Sequence, residues 1–162
     1  MWKAVTGLNV PNITSNFYPS DDKWDLIQFP FKASSAIAEG AAVGIEIVTN
    51  TVTGNLTLMG VENVSGADFK GILAEPIAAG DADYATAGKL KGVWIPRSIY
   101  SQAFFKVWAG TFTAADVFKT VEFHSDSKSL AVDTAGKGAR IVGFITATKG
   151  ICDFSLPATE TA

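Results

Sequence analysis

From residue 43 onward, apolar positions along the chain alternate with polar or small ones. In VGIEIVT (43–49), Val43, Ile45 and Ile47 fall on one side of an extended chain. A period of two marks a strand with one buried face. NTVTGNLTL (50–58) sets the turn pair Gly54-Asn55 ahead of Leu56 and Leu58, which alternate with Thr57. A hairpin is expected there. Further strands are predicted in FKGILAE (69–75), GKLKGVWIP (88–96), SQAFFKVWAG (101–110), VFKTVEFHS (117–125), SLAV (129–132) and ARIVGFITA (139–147). Pro96 and Gly110 close two of them. GKGAR (136–140) reads as a hairpin turn. No segment carries a strong 3.6-residue period. The best helical candidate is a single turn around 113–118, with Thr113 as its cap. Short strands at roughly ten-residue spacing, separated by glycine-rich turns, predict an all-β barrel or sandwich.

The strand pattern repeats. GADFKGILA (66–74) and GARIVGFIT (138–146) share Gly-Ala, a charged residue, an apolar one and a central glycine, at an offset of 138 − 66 = 72 residues. Without gaps, the same register lays Ala42 on Ala114, Ile45 on Val117, Leu58 on Leu130, Gly71 on Gly143 and Leu73 on Ile145. A small barrel with pseudo-twofold character is expected. A glycine inside a strand marks a bulge, a bend or a close backbone approach, which is the reading for Gly71 and Gly143. The stretch between the copies, 79–98, is expected to add connecting strands.

Residues 1–32 differ in character. Pro11, Pro19 and Pro30 prevent a long helix or a central strand. Yet the segment holds Trp2, Phe17, Tyr18, Trp24, Phe29 and Phe31, and disordered tails are poor in aromatics. The expectation is an extended N-terminal arm with these six residues as partner-binding anchors. The surface beneath it is the protein's own barrel, a sister subunit or another protein. The predicted organisation is therefore an arm (1–32), a β-barrel domain (33–155) and a flexible C-terminal tail (156–162).

Composition adds limits. The 162 residues, 48% apolar and 11% aromatic, suffice for one domain with a real core or two very small ones. Charged residues make up only 18%, below the usual quarter or so. This reads equally as a surface partly covered by a partner or as one rich in Thr, Ser and Ala. The net charge is −3 and the basic residues are scattered, so nucleic-acid binding lacks its electrostatic footprint. No apolar run approaches a membrane span. The amino end shows no apolar signal-peptide core, so the sequons at Asn12, Asn55 and Asn63 read as chance matches. A single cysteine, Cys152, forbids an intrachain disulfide and suits a reducing compartment.

Candidate chemistry is sparse. His124-Ser125-Asp126 has the residue types of a catalytic triad, but neighbours on a strand point to opposite faces and cannot relay a proton among themselves. Asp21-Asp22 and Asp81-x-Asp83 read as turns, since a calcium loop needs six or more oxygens. One Cys and one His cannot complete a structural zinc site. GKGAR lacks Walker spacing and precedes a strand. Cys152 reads as a buried, inert thiol. The expectation is a protein without catalytic, cofactor or metal-binding residues, and not an enzyme. A carbohydrate-binding β-domain is an alternative, with Trp94, Tyr100 and Trp108 as stacking candidates.

Several stretches together resemble a family. They are Gly40-Ala41-Ala42-Val43, Phe69-Lys70-Gly71-Ile72-Leu73, the run from Gly88 to Pro96, a second entry from Ala114 to Val117, and Ile141-Val142-Gly143-Phe144-Ile145. Over residues 36–150 they look like the small β-barrel capsid decoration, or cement, proteins of tailed bacteriophages. The resemblance is a pattern of glycines and apolar positions rather than a signature motif. It implies a structural virion protein made in the host cytoplasm and placed on the outer capsid surface. It further implies a homo-oligomer, a homotrimer above all, that bridges copies of the major capsid protein and stabilises the head. It brings no catalytic residue, no nucleic acid and no membrane. Another virion part (tail, connector or head-fibre base) fits the same composition.

Overall fold

The computed structural model describes residues 16–31, 36–49, 56–62, 69–78, 90–136 and 138–154, with side chains for all of these except 45–49 and 56–62. Trp2, Asn12, Asn55, Asn63, Asp81, Asp83 and the tail 156–162 lie outside the described residues.

The described residues form eleven strands: β1 (Tyr18–Pro19), β2 (Trp24–Pro30), β3 (Ala42–Thr49), β4 (Leu56–Glu62), β5 (Gly71–Leu73), β6 (Leu90–Pro96), β7 (Gln102–Lys106), β8 (Thr120–Phe123), β9 (Leu130–Ala135), β10 (Ala139–Thr146) and β11 (Lys149–Asp153). A 3₁₀ turn at Ala114–Asp116 is the helical element of the described residues. The strands make two antiparallel sheets. The first runs β1-β7-β11-β10-β8-β9 and the second β2-β6-β5-β3-β4. The protein is all-β, and its two sheets share a core, so the architecture is a sandwich.

The sheets share a connectivity. Adding five to each strand number of the second sheet reproduces β7-β11-β10-β8-β9, the first sheet without β1. This equivalence lies in strand order, and the 72-residue register follows it in part: it lays Leu58 of β4 on Leu130 of β9 and β5 within β10. Ala42 opens β3, while Ala114 lies in the 3₁₀ turn. Gly71 opens β5, while Gly143 sits mid-strand in β10 at a register shift. The two glycines also differ in reason. A Cβ on Gly71 would come 2.6 Å from the Trp94 carbonyl, a true close approach, whereas Gly143 has ordinary room beside Ile151.

Each sheet curls. In the first, an isolated parallel bridge joins Val107 to Leu130, and the Trp108 N–H donates to the Leu130 carbonyl at 3.0 Å. The end of β7 thus meets β9 across the sheet. One bridge is not a ladder, so the described strands stop short of a closed barrel. β9 and β10, which flank GKGAR (136–140), are not hairpin partners: β8 pairs with both and lies between them.

Alternation dictates the core. Ala103, Phe105 and Val107 turn inward with Val121, Phe123, Leu130, Ile141 and Cys152. Trp24, Ala42 and Ile72 of the second sheet join the same cluster. The next residues along, Val43 and Leu73, point the other way and join a second cluster with Val93, Phe31, Ile37 and Ile77. The second sheet is therefore buried on both faces, as its continuous apolar runs require. The outer layer is held by reciprocal backbone bonds between Ile37 and Ile77, at 3.0 and 2.8 Å.

Residues 16–31 are built into this body rather than extending from it. β1 pairs with β7, and β2 pairs with β6 along its whole length, from Trp24↔Pro96 to Pro30↔Leu90. Pro30 is tolerated because it ends an edge strand. Phe17 sits edge-on to Phe123 at 5.3 Å, and Trp24 edge-on to Phe154 at 5.8 Å. Gly40 makes this possible. Its φ is +76°, and a Cβ there would stand 2.4 Å from Asn16 Cβ and 2.7 Å from the Phe17 carbonyl. A boundary at 32/33 would cut β1 and β2 away from the sheets that contain them.

Candidate binding cleft

The chemistry-bearing residues that are described have definite places. His124 and Asp126 are half-buried, and Ser125 is exposed. The Asp126 carboxylate accepts from the Lys128 N–H (2.8 Å), the Ser129 N–H (3.1 Å) and the Ser129 hydroxyl (2.9 Å). Burial pushes its pKa up, but these bonds and the neighbouring His124 outweigh that and hold it below the ordinary value. The Asp126 N–H in turn donates to His124 Nδ1 at 3.3 Å. What the His-Ser-Asp run does here is brace the turn between β8 and β9. Cys152 is fully buried, and burial together with the charge of Asp153 raises its thiol pKa well above the usual range. Among the described residues no group of three His, Cys, Asp or Glu converges on a point.

Of the six aromatic anchors, Phe17, Trp24 and Phe31 are core residues. Phe29 is half-buried against Phe31, and Tyr18 is 41% exposed on the β1 edge. Only Tyr18 and part of Phe29 are open to a partner among the five that are described. Of the three stacking candidates, Trp94 packs against the main core. Tyr100 is 54% exposed, with the Arg140 guanidinium 5.9 Å from its ring centre. Trp108 is 55% exposed, and its ring lies flat on His124, centroids 3.6 Å apart and planes 10° from parallel. Its exposure is not legible from the alternation of β7, since Gln102 and Lys106 share its parity but so does the buried Phe104. Nor is its partner His124, sixteen positions on.

Beside Trp108 the first sheet opens into a cleft of about 430 Å³, lined by Ala109, Gly110, Thr111, Phe112, Asp116, Lys119, Val132 and Asp133. One wall is the loop after β7, which the Phe112 N–H ties to the Ala147 carbonyl at 2.9 Å. Gly110 turns this loop with φ +73°. Phe112 itself is 2% exposed and gives the wall an apolar base, edge-on to Phe144 at 5.3 Å. The second wall is the 3₁₀ turn. There Asp116 accepts from the Thr113 N–H (2.8 Å), the Thr113 hydroxyl (3.0 Å) and the Lys119 ammonium (2.6 Å). The Lys119 bond, then those from Thr113, lower the Asp116 pKa to about 2. β9 supplies Val132 and Asp133.

Phe118, next to Lys119, is the unusual residue of this region. Its φ is +75° and it is 64% exposed. A bulky side chain in the left-handed region is strained, and such strain collects at functional sites. Sequence reasoning missed it, because backbone sign leaves no trace in an alternating pattern.

Comparison with family models, with curated proteins and with solved structures returns no match. The likeness to capsid decoration proteins thus rests on the glycine and apolar pattern quoted above.

Proposed function

We propose that the protein is a structural component of a tailed-phage virion that coats the outer capsid surface and stabilises the head by bridging major capsid subunits. In this reading it acts as a homo-oligomer, first of all a homotrimer, and not as an enzyme. The observation that carries the reading is an apolar surface on the neighbouring strands β2 and β6. Leu26 (53% exposed) and Leu90 (52% exposed) share a face there, and Ile27 (39% exposed) stands on the other. Charged residues normally guard edge strands; on β2 that role falls to Asp25, paired with Arg97, and the exposed apolar side chains beyond it favour a partner surface. A sandwich with shared core suits a load-bearing role, and many copies acting together need only modest contacts each.

Quantitative mass spectrometry of the purified particle tests this. The expected result is a copy number comparable to that of the major capsid protein, with sedimentation of the free protein at three times 17.1 kDa. A few copies per particle would move the protein to the tail, connector or head-fibre base. Absence from particles would end the virion reading.

A further inference from the structure

We propose that the outer face of the first sheet carries a docking site for an acidic side chain of a partner protein, formed by Lys106 and Lys149 around a small notch. The site lies on a different sheet from the β2–β6 surface and rests on its own observations.

The register between β7 and β11 sets Lys106 directly opposite Lys149. Phe105 turns into the core, so Lys106 faces outward, and Lys149 shares its face. Like charges directly opposite each other destabilise an antiparallel pair. A neighbouring carboxylate would offset this, and the row across the sheet supplies none. Continuing the β1–β7 register brings Asn16 opposite Lys106, and Thr146 of β10 stands beyond Lys149. The next pair on the same face is apolar, Phe104 with Ile151. Among the described residues no Asp or Glu forms an ion pair with either lysine. The chain holds 16 acidic residues against 13 basic ones, so internal partners are not scarce. These two cations are nonetheless left facing each other.

Both lysines line one notch of about 10 Å³, together with Asn16, Phe104, Ile145 and Gly150. That volume admits about one water-sized group. It therefore takes the tip of a side chain rather than an enclosed small molecule. Two ammonium groups call for an anionic oxygen at that point. Each is a point charge on a flexible stem, so both can converge on one carboxylate. The apolar walls suit the methylene groups that carry such a carboxylate. A glutamate or aspartate side chain meets both conditions. A nucleic acid meets them less well, because its backbone calls for a stripe of bases, and the lysines here form an isolated pair.

The test titrates the isotope-labelled full-length protein with a capped tetraglutamate peptide and follows its backbone amides by NMR. Capped tetraglutamine, inorganic phosphate and a single-stranded oligonucleotide are titrated in parallel. Lys106→Gln and Lys149→Gln are compared with Lys70→Gln, which removes an exposed charge ahead of β5, and circular dichroism checks each fold. The expected result is saturable shifts at Asn16, Lys106, Lys149 and Gly150 with tetraglutamate and none with tetraglutamine. Binding should weaken about three- to fivefold in each notch variant, the scale of one solvent-exposed ion pair, and stay unchanged in Lys70→Gln. Without any anion, Lys149→Gln should melt no lower than the parent, because it relieves a repulsion. A clear fall in its melting temperature would reveal an internal partner for Lys149 and overturn the proposal. So would an unshifted notch, equal affinity in both notch variants and the parent, or a stronger response to phosphate or the oligonucleotide than to tetraglutamate.

Discussion

At the scale of single residues, position in the pleat decides more than residue type. Trp24 opens β2, and Trp108 lies just past the end of β7. Trp24 is 5% exposed, and its indole N–H donates to the Gln102 carbonyl at 2.9 Å, tying the second sheet to the first. Trp24→Ala is expected to cost about 3–5 kcal/mol, the range for truncating a large buried aromatic. Trp24→Phe keeps most of the apolar area and loses the bond, for about 1 kcal/mol. Urea unfolding of the two variants separates the contributions. Asp116 predicts a pH effect of definite sign. Its pKa falls from 3.8 to about 2 on folding, so its stabilising contribution is present above 3.8 and is lost as pH drops through the folded value. Asp116→Asn should therefore flatten the loss of stability between pH 4 and 2, as read by the denaturant midpoint. The carboxylate is half-buried but still in contact with solvent, so the effect is expected to be small.

At the scale of elements, the strands from β3 to β10 are legible, some (β3, β8) from alternating apolar residues and others (β5, β6) from short apolar runs bounded by turn residues. β2 is not. WDLIQFP ends in proline and leaves Leu26 and Ile27, adjacent and of opposite parity, both exposed, so no period of two survives in it. β11, KGICD, is short and broken by a glycine that packs against Phe105 and Phe112. The consequence for an arm is direct. Deleting residues 1–32 removes β1, the whole β2–β6 ladder, and Phe17, Trp24 and Phe31 from the core. That variant is expected to lose its far-UV strand signal and its cooperative melt. A folded product with the parent's melting temperature would overturn the assignment of β2 to the second sheet. A fair test of arm function has to stop before Asn16.

At the scale of the whole molecule, the two like-connected sheets share the core around Phe123, Phe154, Trp24 and Ile72. They are therefore expected to unfold together. Tryptophan fluorescence and far-UV circular dichroism should give coincident transitions, whereas two separated midpoints would show that the halves are independent. The buried Asp153, 1% exposed, pairs with Arg140 on the outer face of the first sheet, where strand parity alone would place solvent-facing residues. Its burial follows from what lies over the sheet, which no local pattern encodes.

The sequence by itself determined the all-β class, most of the strands and the single capped turn at Thr113. These follow from a two-residue period and from turn chemistry, both local. Only the tertiary structure decided which strands neighbour which, that residues 16–31 complete both sheets, and that β8 lies between β9 and β10. It alone also placed Trp108 on His124 and formed a cleft from three separate segments. These depend on contacts between residues far apart in the chain. Their free energy comes from shared burial, and burial is a property of the assembled core rather than of any stretch of sequence.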